Sequence, residues 1–191
     1  MSKPASTLKN MILAMTIVAG LSALILSISY RITQEPIKKA QDKKKLEAIQ
    51  AVLPPDYDNN PYQERLTISG SNIELYPARQ GTKITSVAMK TYSNNAFSGR
   101  LELIVGFLLD GTITDYKVVS HKETPGLGSK VTEEKFARQL RGFNITKQKL
   151  KVKQDDGDID AVTSATISSR AVLDAIQRAY DNYIKFSTLG N

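Results

Sequence analysis

A run of small hydroxyl residues lies just before an apolar C-terminal segment. It reads Asp160-Ala161-Val162-Thr163-Ser164-Ala165-Thr166. Helix N-termini carry unpaired backbone N–H groups and a partial positive charge, so they suit a phosphate group. A hydroxyl at such a place could itself be esterified. Serine and threonine are also ordinary helix caps, so the local pattern alone leaves a purely structural role open.

A second segment combines an acidic residue with a sharp turn. It reads Glu123-Thr124-Pro125-Gly126-Leu127-Gly128, and its first residue precedes Asp160 by 37 positions. One proline and two glycines predict an ordered loop whose backbone can approach a ligand closely. Taken alone, such a run is only a tight loop. Together and in this order, the two segments are stronger evidence for a ligand-binding site than either segment alone.

Other chemistries find little support. The chain has no cysteine and one histidine, His121, which argues against thiolate or histidine metal sites, disulfides and a Ser-His-Asp triad. Asp156, Asp158 and Asp160 alternate like a calcium loop, but Ile167 replaces the glutamate expected at position twelve. The net charge of +7 comes without any base-reading motif, so nucleic acid is not an expected partner. We predict no metal site and no catalytic residue.

The first segment resembles the flavinylation motif of the FMN-binding domain family, Asp-x-x-Ser/Thr-Gly-Ala-Thr. The resemblance implies that FMN is the cofactor and that Thr166 carries it through a phosphoester, installed from FAD by a flavin transferase. Asp160, Thr163 and Ala165 match the motif, whereas Ser164 stands where glycine is usual. All of these residues are therefore predicted to bind the cofactor.

The second segment resembles the loop that lies against the flavin ring in the same family. The resemblance implies that Thr124 and Leu127 border the isoalloxazine and that Gly126 and Gly128 offer close-lying backbone N–H groups. Glu123 is included in the predicted site. Three basic residues could stabilise an anionic flavin or could be plain surface charges: Arg100, Lys122 and Lys130.

The N-terminal part predicts a membrane anchor. Lys9 and Arg31 bracket 21 uncharged, mostly apolar residues, and about 20 residues of helix span a bilayer core. A cleaved signal peptide is the alternative, but its apolar core is usually shorter. More basic residues follow the span than precede it, so charge alone leaves the orientation open.

The span must be joined to a folded domain. Thr33 and Pro36 predict the first turn of a new helix, which Pro54-Pro55 would end. We therefore expect four parts: a cytoplasmic N-terminus over residues 1–9, a transmembrane helix over 10–30, a helical stalk over 31–55, and an extracytoplasmic FMN-binding domain over 56–191.

The predicted domain class is α+β, an antiparallel sheet packed by helices. Strand-like runs lie at about 72–78 and 84–91, and residues 93–99 suggest a loop. Alternation at 101–109 and the Asp110-Gly111 turn predict a hairpin with a strand at 112–121. A helix should open near Thr132 and end at Gly142, with a short strand near 147–153. A clear apolar stripe predicts the last helix: Val172, Ala175, Ile176, Ala179, Tyr180, Tyr183 and Ile184.

The order of anchor, Thr33-x-x-Pro36-Ile37 and domain resembles the family of G subunits of Rnf ion-translocating electron transport complexes. The C subunit of the sodium-translocating NADH:quinone reductase is a close relative, and it is the first alternative. The resemblance implies an electron relay between ferredoxin and NAD, in the bacterial inner membrane with the domain outside. Its partners would be other membrane and peripheral subunits, the flavin transferase and membrane lipid. A tethered assembly or binding protein with a vestigial flavin site and a flavin reductase of a small acceptor are further alternatives.

Overall fold

The computed structural model describes residues 7–67 and 73–189. The chain divides into two units, Met1–Lys43 and Lys44–Asn191. In the described part, one helix, at the N-terminus, is long and apolar enough to cross a membrane. This helix, α1, spans Leu8–Val52 without a break and has Pro36 in its interior. Its apolar side chains from Leu8 to Ile37 are exposed, as expected for a lipid-facing surface.

The prediction that a new helix opens at Thr33 and Pro36 is therefore wrong. The hydroxyl of Thr33 does not cap a helix; it donates backwards to the carbonyl of Ser29 at 2.8 Å, as threonines inside helices do. Proline removes one backbone donor, but the residues on either side of it are good helix formers. One helix thus continues through the predicted boundary to Val52.

The second unit is built on a five-stranded antiparallel sheet in which each strand pairs with its neighbour in sequence. The strands are β1 Leu66–Thr67, β2 Glu74–Gln80, β3 Lys83–Ala96, β4 Gly99–Leu108 and β5 Ile113–Ser120. The predicted α+β class and antiparallel meander are confirmed. The predicted turn at Asp110-Gly111 connects β4 to β5, with Gly111 at φ +84°. The expected start of β2 at residue 72 lies outside the described residues.

The predicted loop at 93–99 is mostly strand. β3 continues to Ala96, and only Phe97 and Ser98 form the turn to β4. Two of the polar residues that suggested a loop donate hydrogen bonds to α3, which spans Thr166–Leu189. Ser93 Oγ donates to Asp174 Oδ2 at 2.5 Å, and Asn95 Nδ2 donates to the same oxygen at 3.4 Å. Burying a hydroxyl that makes such a hydrogen bond costs little free energy, so it is compatible with a strand.

The segment between β5 and α3 is less regular than predicted. A 3-10 turn at Gly128–Thr132 precedes α2, which is only Glu134–Ala137. Phe136 and Leu140 are buried as predicted, and the chain turns at Gly142, where φ is +75°. The strand expected near 147–153 does not form within this described stretch. Val152 makes only a single bridge to Ile159, because the tight turn at 155–158 leaves no room for a ladder.

Both faces of the sheet are covered. The larger core lies between the sheet and α3, where Val172, Ala175, Ile176 and Ala179 are all fully buried. The last turns of α1 cover the opposite face, with Ile49 and Val52 packed on Tyr76, Ala88 and Ile104. The sheet is therefore packed on both faces, and its β3–β4 turn is linked through Glu123 to the first turn of α3.

Candidate functional site

One cavity of about 290 Å³ is lined by both segments that the sequence singled out. The 123–128 loop forms one wall and the start of α3 forms another. The turn between β3 and β4 contributes a third. The lining residues are Phe97, Glu123, Thr124, Leu127, Gly128, Ser164, Ala165, Thr166, Ile167 and Ser168.

The chain enters α3 through a tight turn. The Ala165 N–H donates to the Val162 carbonyl at 2.9 Å, and Ser164 has φ +62°. A positive φ at the third residue of a β-turn is the conformation that favours glycine. This accounts for the glycine that is usual in the motif at this position. The buried Ser169 hydroxyl holds the turn from inside, accepting from Val162 N at 3.0 Å and donating to Ala165 O at 3.1 Å.

The hydroxyls at the start of α3 have different surroundings. Ser168 and Ser169 are buried and both are hydrogen-bonded. Thr166 is half-buried and lines the cavity, and its hydroxyl makes no hydrogen bond to any described residue. The helical ladder begins with Ser169 N–H donating to Ala165 O at 3.0 Å. The N–H groups of the first turn before it are those that an α-helix leaves without an internal acceptor.

Glu123 lines the cavity, but its carboxylate has partners within the protein. Its side chain is buried, Ser168 Oγ donates to Oε2 at 2.6 Å, and Ser98 N–H donates to Oε1 at 3.1 Å. Gly128 packs directly on it, since a Cβ there would lie 2.1 Å from Oε2. Glu123 thus links three segments, which are the 123–128 loop, the β3–β4 turn and the first turn of α3. The sequence did not predict this role.

The 123–128 loop is internally braced. Leu127 N–H donates to the Thr124 carbonyl at 3.2 Å, and Gly126 N–H donates to Ser129 Oγ at 2.9 Å. Gly126 has φ +76° and is not among the cavity-lining residues. Leu127 projects outward, with 47% of its surface exposed. The loop therefore presents an apolar side chain beside the cavity on a defined backbone.

The two earliest motif residues lie elsewhere. Asp160 and Thr163 line a neighbouring cavity of about 510 Å³. Asp160 pairs with Lys153 at 2.9 Å, and both its backbone N–H and carbonyl are bonded to the Gln139 amide, at 2.9 and 3.1 Å. In this geometry Asp160 fixes the loop that leads into the turn.

The three basic residues weighed for the site do not line this cavity. The guanidinium of Arg100 stacks on Tyr92, with Cζ 4.0 Å from the ring centroid, and its Nε pairs with Glu102 at 2.8 Å. Lys130 lines the neighbouring cavity, and Lys122 lines neither of the two. Within the ranges that the structure describes, no cluster of three or more metal-ligating side chains is found.

Sequence reasoning missed three lining residues. Ile167 and Ser168 directly follow the motif, so the helical geometry could have suggested them. Phe97 has no such signal, because it falls in a segment that was predicted to be a loop. Its place in the wall depends on the pairing of β3 with β4.

Comparisons with known proteins identify the family of the chain. The FMN-binding domain family matches residues 96–181. The G subunit of the ion-translocating oxidoreductase complex of Vibrio cholerae is 30% identical, over 88% of this chain and 87% of that protein. The Erwinia tasmaniensis protein of the same name is 35% identical, over 85% and 81%.

A solved structure shares the fold. The C subunit of the Na(+)-translocating NADH-quinone reductase from Parabacteroides distasonis aligns with a TM-score of 0.52 and 16% identity, over 78% of this chain and 92% of that one. At that identity the likeness concerns the fold alone. On the strength of its curated relatives, the chain belongs to the family of G subunits of ion-translocating oxidoreductase complexes, and it contains that family's FMN-binding domain.

Proposed function

We propose that this protein is an electron-carrying flavoprotein subunit of an Rnf-type ion-translocating ferredoxin:NAD oxidoreductase complex, with FMN bound covalently to Thr166. The flavin supplies the redox chemistry, and the protein supplies its position and surroundings. The isolated subunit is expected to turn over no substrate of its own. The observation that carries the proposal is that both family segments, separated along the chain, line one cavity together with Thr166.

The residues of the cavity fit a phosphate-bearing flavin. Thr166 presents an uncommitted hydroxyl at the first turn of a 24-residue helix, where N–H groups and the helix dipole favour a phosphate. Leu127 and Ile167 add exposed apolar surface to the wall of the same cavity, as a flavin ring requires. Maturation would replace the hydroxyl proton of Thr166 by the FMN phosphoryl group, with AMP leaving FAD on the transferase.

We further propose a single-pass topology in the bacterial inner membrane. Residues 1–9 would be cytoplasmic, 10–30 would span the bilayer, and the domain would face the periplasm or cell exterior. The lipid-exposed apolar surface of α1 supports the span. Its partners would be the other membrane and peripheral subunits of the complex, together with the flavin transferase during maturation and membrane lipid.

The test is the intact mass of the full-length protein, produced in membranes with an active flavin transferase and purified under denaturing conditions. We expect a gain equal to FMN less one water. Thr166→Val should abolish the gain, because valine keeps the shape of threonine but has no hydroxyl.

Ser164→Ala is the matched control, since the Ser164 hydroxyl also lines the cavity without a hydrogen bond in the described part of the chain and lies two residues before Thr166. Its mass gain should equal that of the wild type. An unmodified wild-type mass, with the transferase shown to modify a known acceptor, would refute the covalent flavin and favour the vestigial scaffold.

A further inference from the structure

Three exposed apolar side chains meet around the cavity. Phe97 is 68% exposed, and Leu127 and Ile167 are each 47% exposed. They come from the β3–β4 turn, the 123–128 loop and the first turn of α3. Large apolar side chains that cluster at the surface usually mark a binding site. All three line the same cavity as Thr166.

Phe97 is exposed, yet the turn that carries it is held in place. The neighbouring N–H of Ser98 donates to Glu123 Oε1 at 3.1 Å, and the other carboxylate oxygen accepts from Ser168 at 2.6 Å. Glu123 thereby joins the β3–β4 turn to the helix that begins at Thr166. These hydrogen bonds fix the backbone of the β3–β4 turn, which carries Phe97, relative to the first turn of α3.

The proposed covalent attachment at Thr166 indicates which group lies between these three apolar side chains. A flavin attached at Thr166 keeps its ring within the length of one ribityl chain, and the cavity that Thr166 lines offers apolar surface beside the point of attachment. The isoalloxazine is planar with broad apolar faces, which aromatic side chains bind by offset stacking. We propose that Phe97 forms the aromatic wall of the site and stacks on the isoalloxazine ring of the flavin carried by Thr166.

This inference rests on the proposed function, and it assigns to Phe97 a positioning role that the motif does not contain. The loop side chain Leu127 and the helix side chain Ile167 flank the ring edges. A ring held against Phe97 moves with the protein, whereas a ring held only by its tether reorients freely, so the fluorescence anisotropy of the flavin is a signature of stacking that is separate from attachment.

The experiment compares the fluorescence anisotropy of the covalently bound flavin in the full-length, flavinylated protein and in Phe97→Ala, Phe97→Leu and Phe97→Tyr. Intact mass establishes the extent of attachment for each sample. We expect a severalfold fall in anisotropy for the alanine and leucine variants, with the mass gain unchanged. Tyrosine should keep the wild-type anisotropy, because it preserves the aromatic face.

Phe186→Ala is the aromatic control. Phe186 lies 20 residues along α3 from Thr166, about 30 Å at 1.5 Å per residue, so its removal should leave the anisotropy unchanged. Equal anisotropy in Phe97→Ala and the wild type, at full mass gain, would overturn the stacking and leave the covalent flavin intact. A wild-type chain without any mass gain would overturn the proposed function, and this inference with it.

Discussion

Serine at position 164 adopts a backbone conformation that glycine takes more easily. Its φ is +62°, and the left-handed region costs a residue with a Cβ roughly 1–2 kcal/mol. Glycine regains this but loses about 0.5–1 kcal/mol in chain entropy. We therefore expect Ser164→Gly to raise the free energy of unfolding by about 0.5–1 kcal/mol.

Chemical denaturation of the full chain in detergent would measure that change. Thr163→Gly is the matched control, since Thr163 is the adjacent turn residue and has negative φ. Glycine there should destabilise the protein by roughly 0.5–1 kcal/mol. Destabilisation by Ser164→Gly as well would show that the turn does not hold residue 164 in the left-handed region.

At Gly128 the absence of a side chain matters for packing. A Cβ there would lie 2.1 Å from Glu123 Oε2 and 2.8 Å from Ser168 Oγ. Gly128→Ala should therefore break the buried Glu123–Ser168 hydrogen bond and lower the free energy of unfolding by roughly 1–3 kcal/mol.

A double-mutant cycle with Glu123→Ala isolates the cause of that loss. Removing the carboxylate takes away the closest obstruction, at 2.1 Å, and releases the Ser168 hydroxyl, at 2.8 Å, to rotate away. The alanine at 128 should then cost less, so the two changes should be non-additive. Simple additivity of the two losses would mean that Gly128 is required for another reason.

At the scale of elements, the C-terminal end of α1 packs against the sheet at Gly106, where β4 has no side chain. Thr114 Oγ1 donates to the Val52 carbonyl, and a Cβ on Gly106 would lie 2.2 Å from that same carbonyl oxygen. Because the obstruction is backbone, it cannot move aside cheaply. Gly106→Ala should lower the free energy of unfolding by about 1–3 kcal/mol.

Thermal unfolding of the full-length protein in detergent would register this as a lower midpoint. Thr114→Val removes the hydrogen bond without adding bulk, so it separates the two contributions. An unchanged midpoint for Gly106→Ala would contradict the close approach of the helix end to β4.

A second contact between α1 and the sheet, from Lys45 to Glu74 of β2, depends on pH. Lys45 Nζ lies 2.5 Å from Glu74 Oε2, and the Tyr76 hydroxyl donates to the same oxygen. Burial opposes ionisation of Glu74, but these two hydrogen bonds outweigh it and lower the pKa of its carboxyl. The resulting stabilisation is fully present above the ordinary carboxyl pKa of 4.5, and it is lost as pH falls through the lower folded-state pKa.

Glu74→Gln should accordingly cost about 1–3 kcal/mol at neutral pH, as expected for hydrogen bonds to a charged group. The difference from the wild type should shrink below pH 4.5, where the wild-type carboxyl also becomes neutral. Unfolding midpoints of both proteins across this pH range would test it. A difference that is the same at every pH would assign the loss to packing rather than to charge.

For the whole molecule, the topology can be tested because the chain has no cysteine. A single cysteine introduced as Lys149→Cys lies at an exposed position in the domain. We expect a membrane-impermeant maleimide to label it in cells whose outer membrane alone is permeabilised, because the domain is proposed to be extracytoplasmic.

The counterpart Ser2→Cys should be labelled only after lysis, since residues 1–9 are proposed to be cytoplasmic. The reverse pattern of labelling would place the domain on the cytoplasmic side. That outcome would agree with the excess of basic residues after the span and would refute the proposed orientation.

The sequence alone determined the features that are encoded by neighbouring residues. The apolar run predicted the span, the alternation and the Asp110-Gly111 turn predicted the β4–β5 hairpin, and the apolar stripe predicted α3. The family motif at Asp160–Thr166 likewise needed only adjacent positions. Such patterns can be recognised because periodicity and turn chemistry act over a few residues.

Only the tertiary structure decided what depends on contacts distant in sequence. Ser93 belongs to a strand because Asp174 accepts its hydrogen bond, and Phe97 reaches the cavity because β3 continues beyond the predicted loop. Glu123 is engaged by Ser98 and Ser168, while Asp160 turns toward a neighbouring cavity. In each case the outcome depends on residues that are distant in sequence, because they accept or donate the hydrogen bonds of a buried polar atom or leave a side chain exposed. The neighbouring residues in the sequence do not reveal which residues these are.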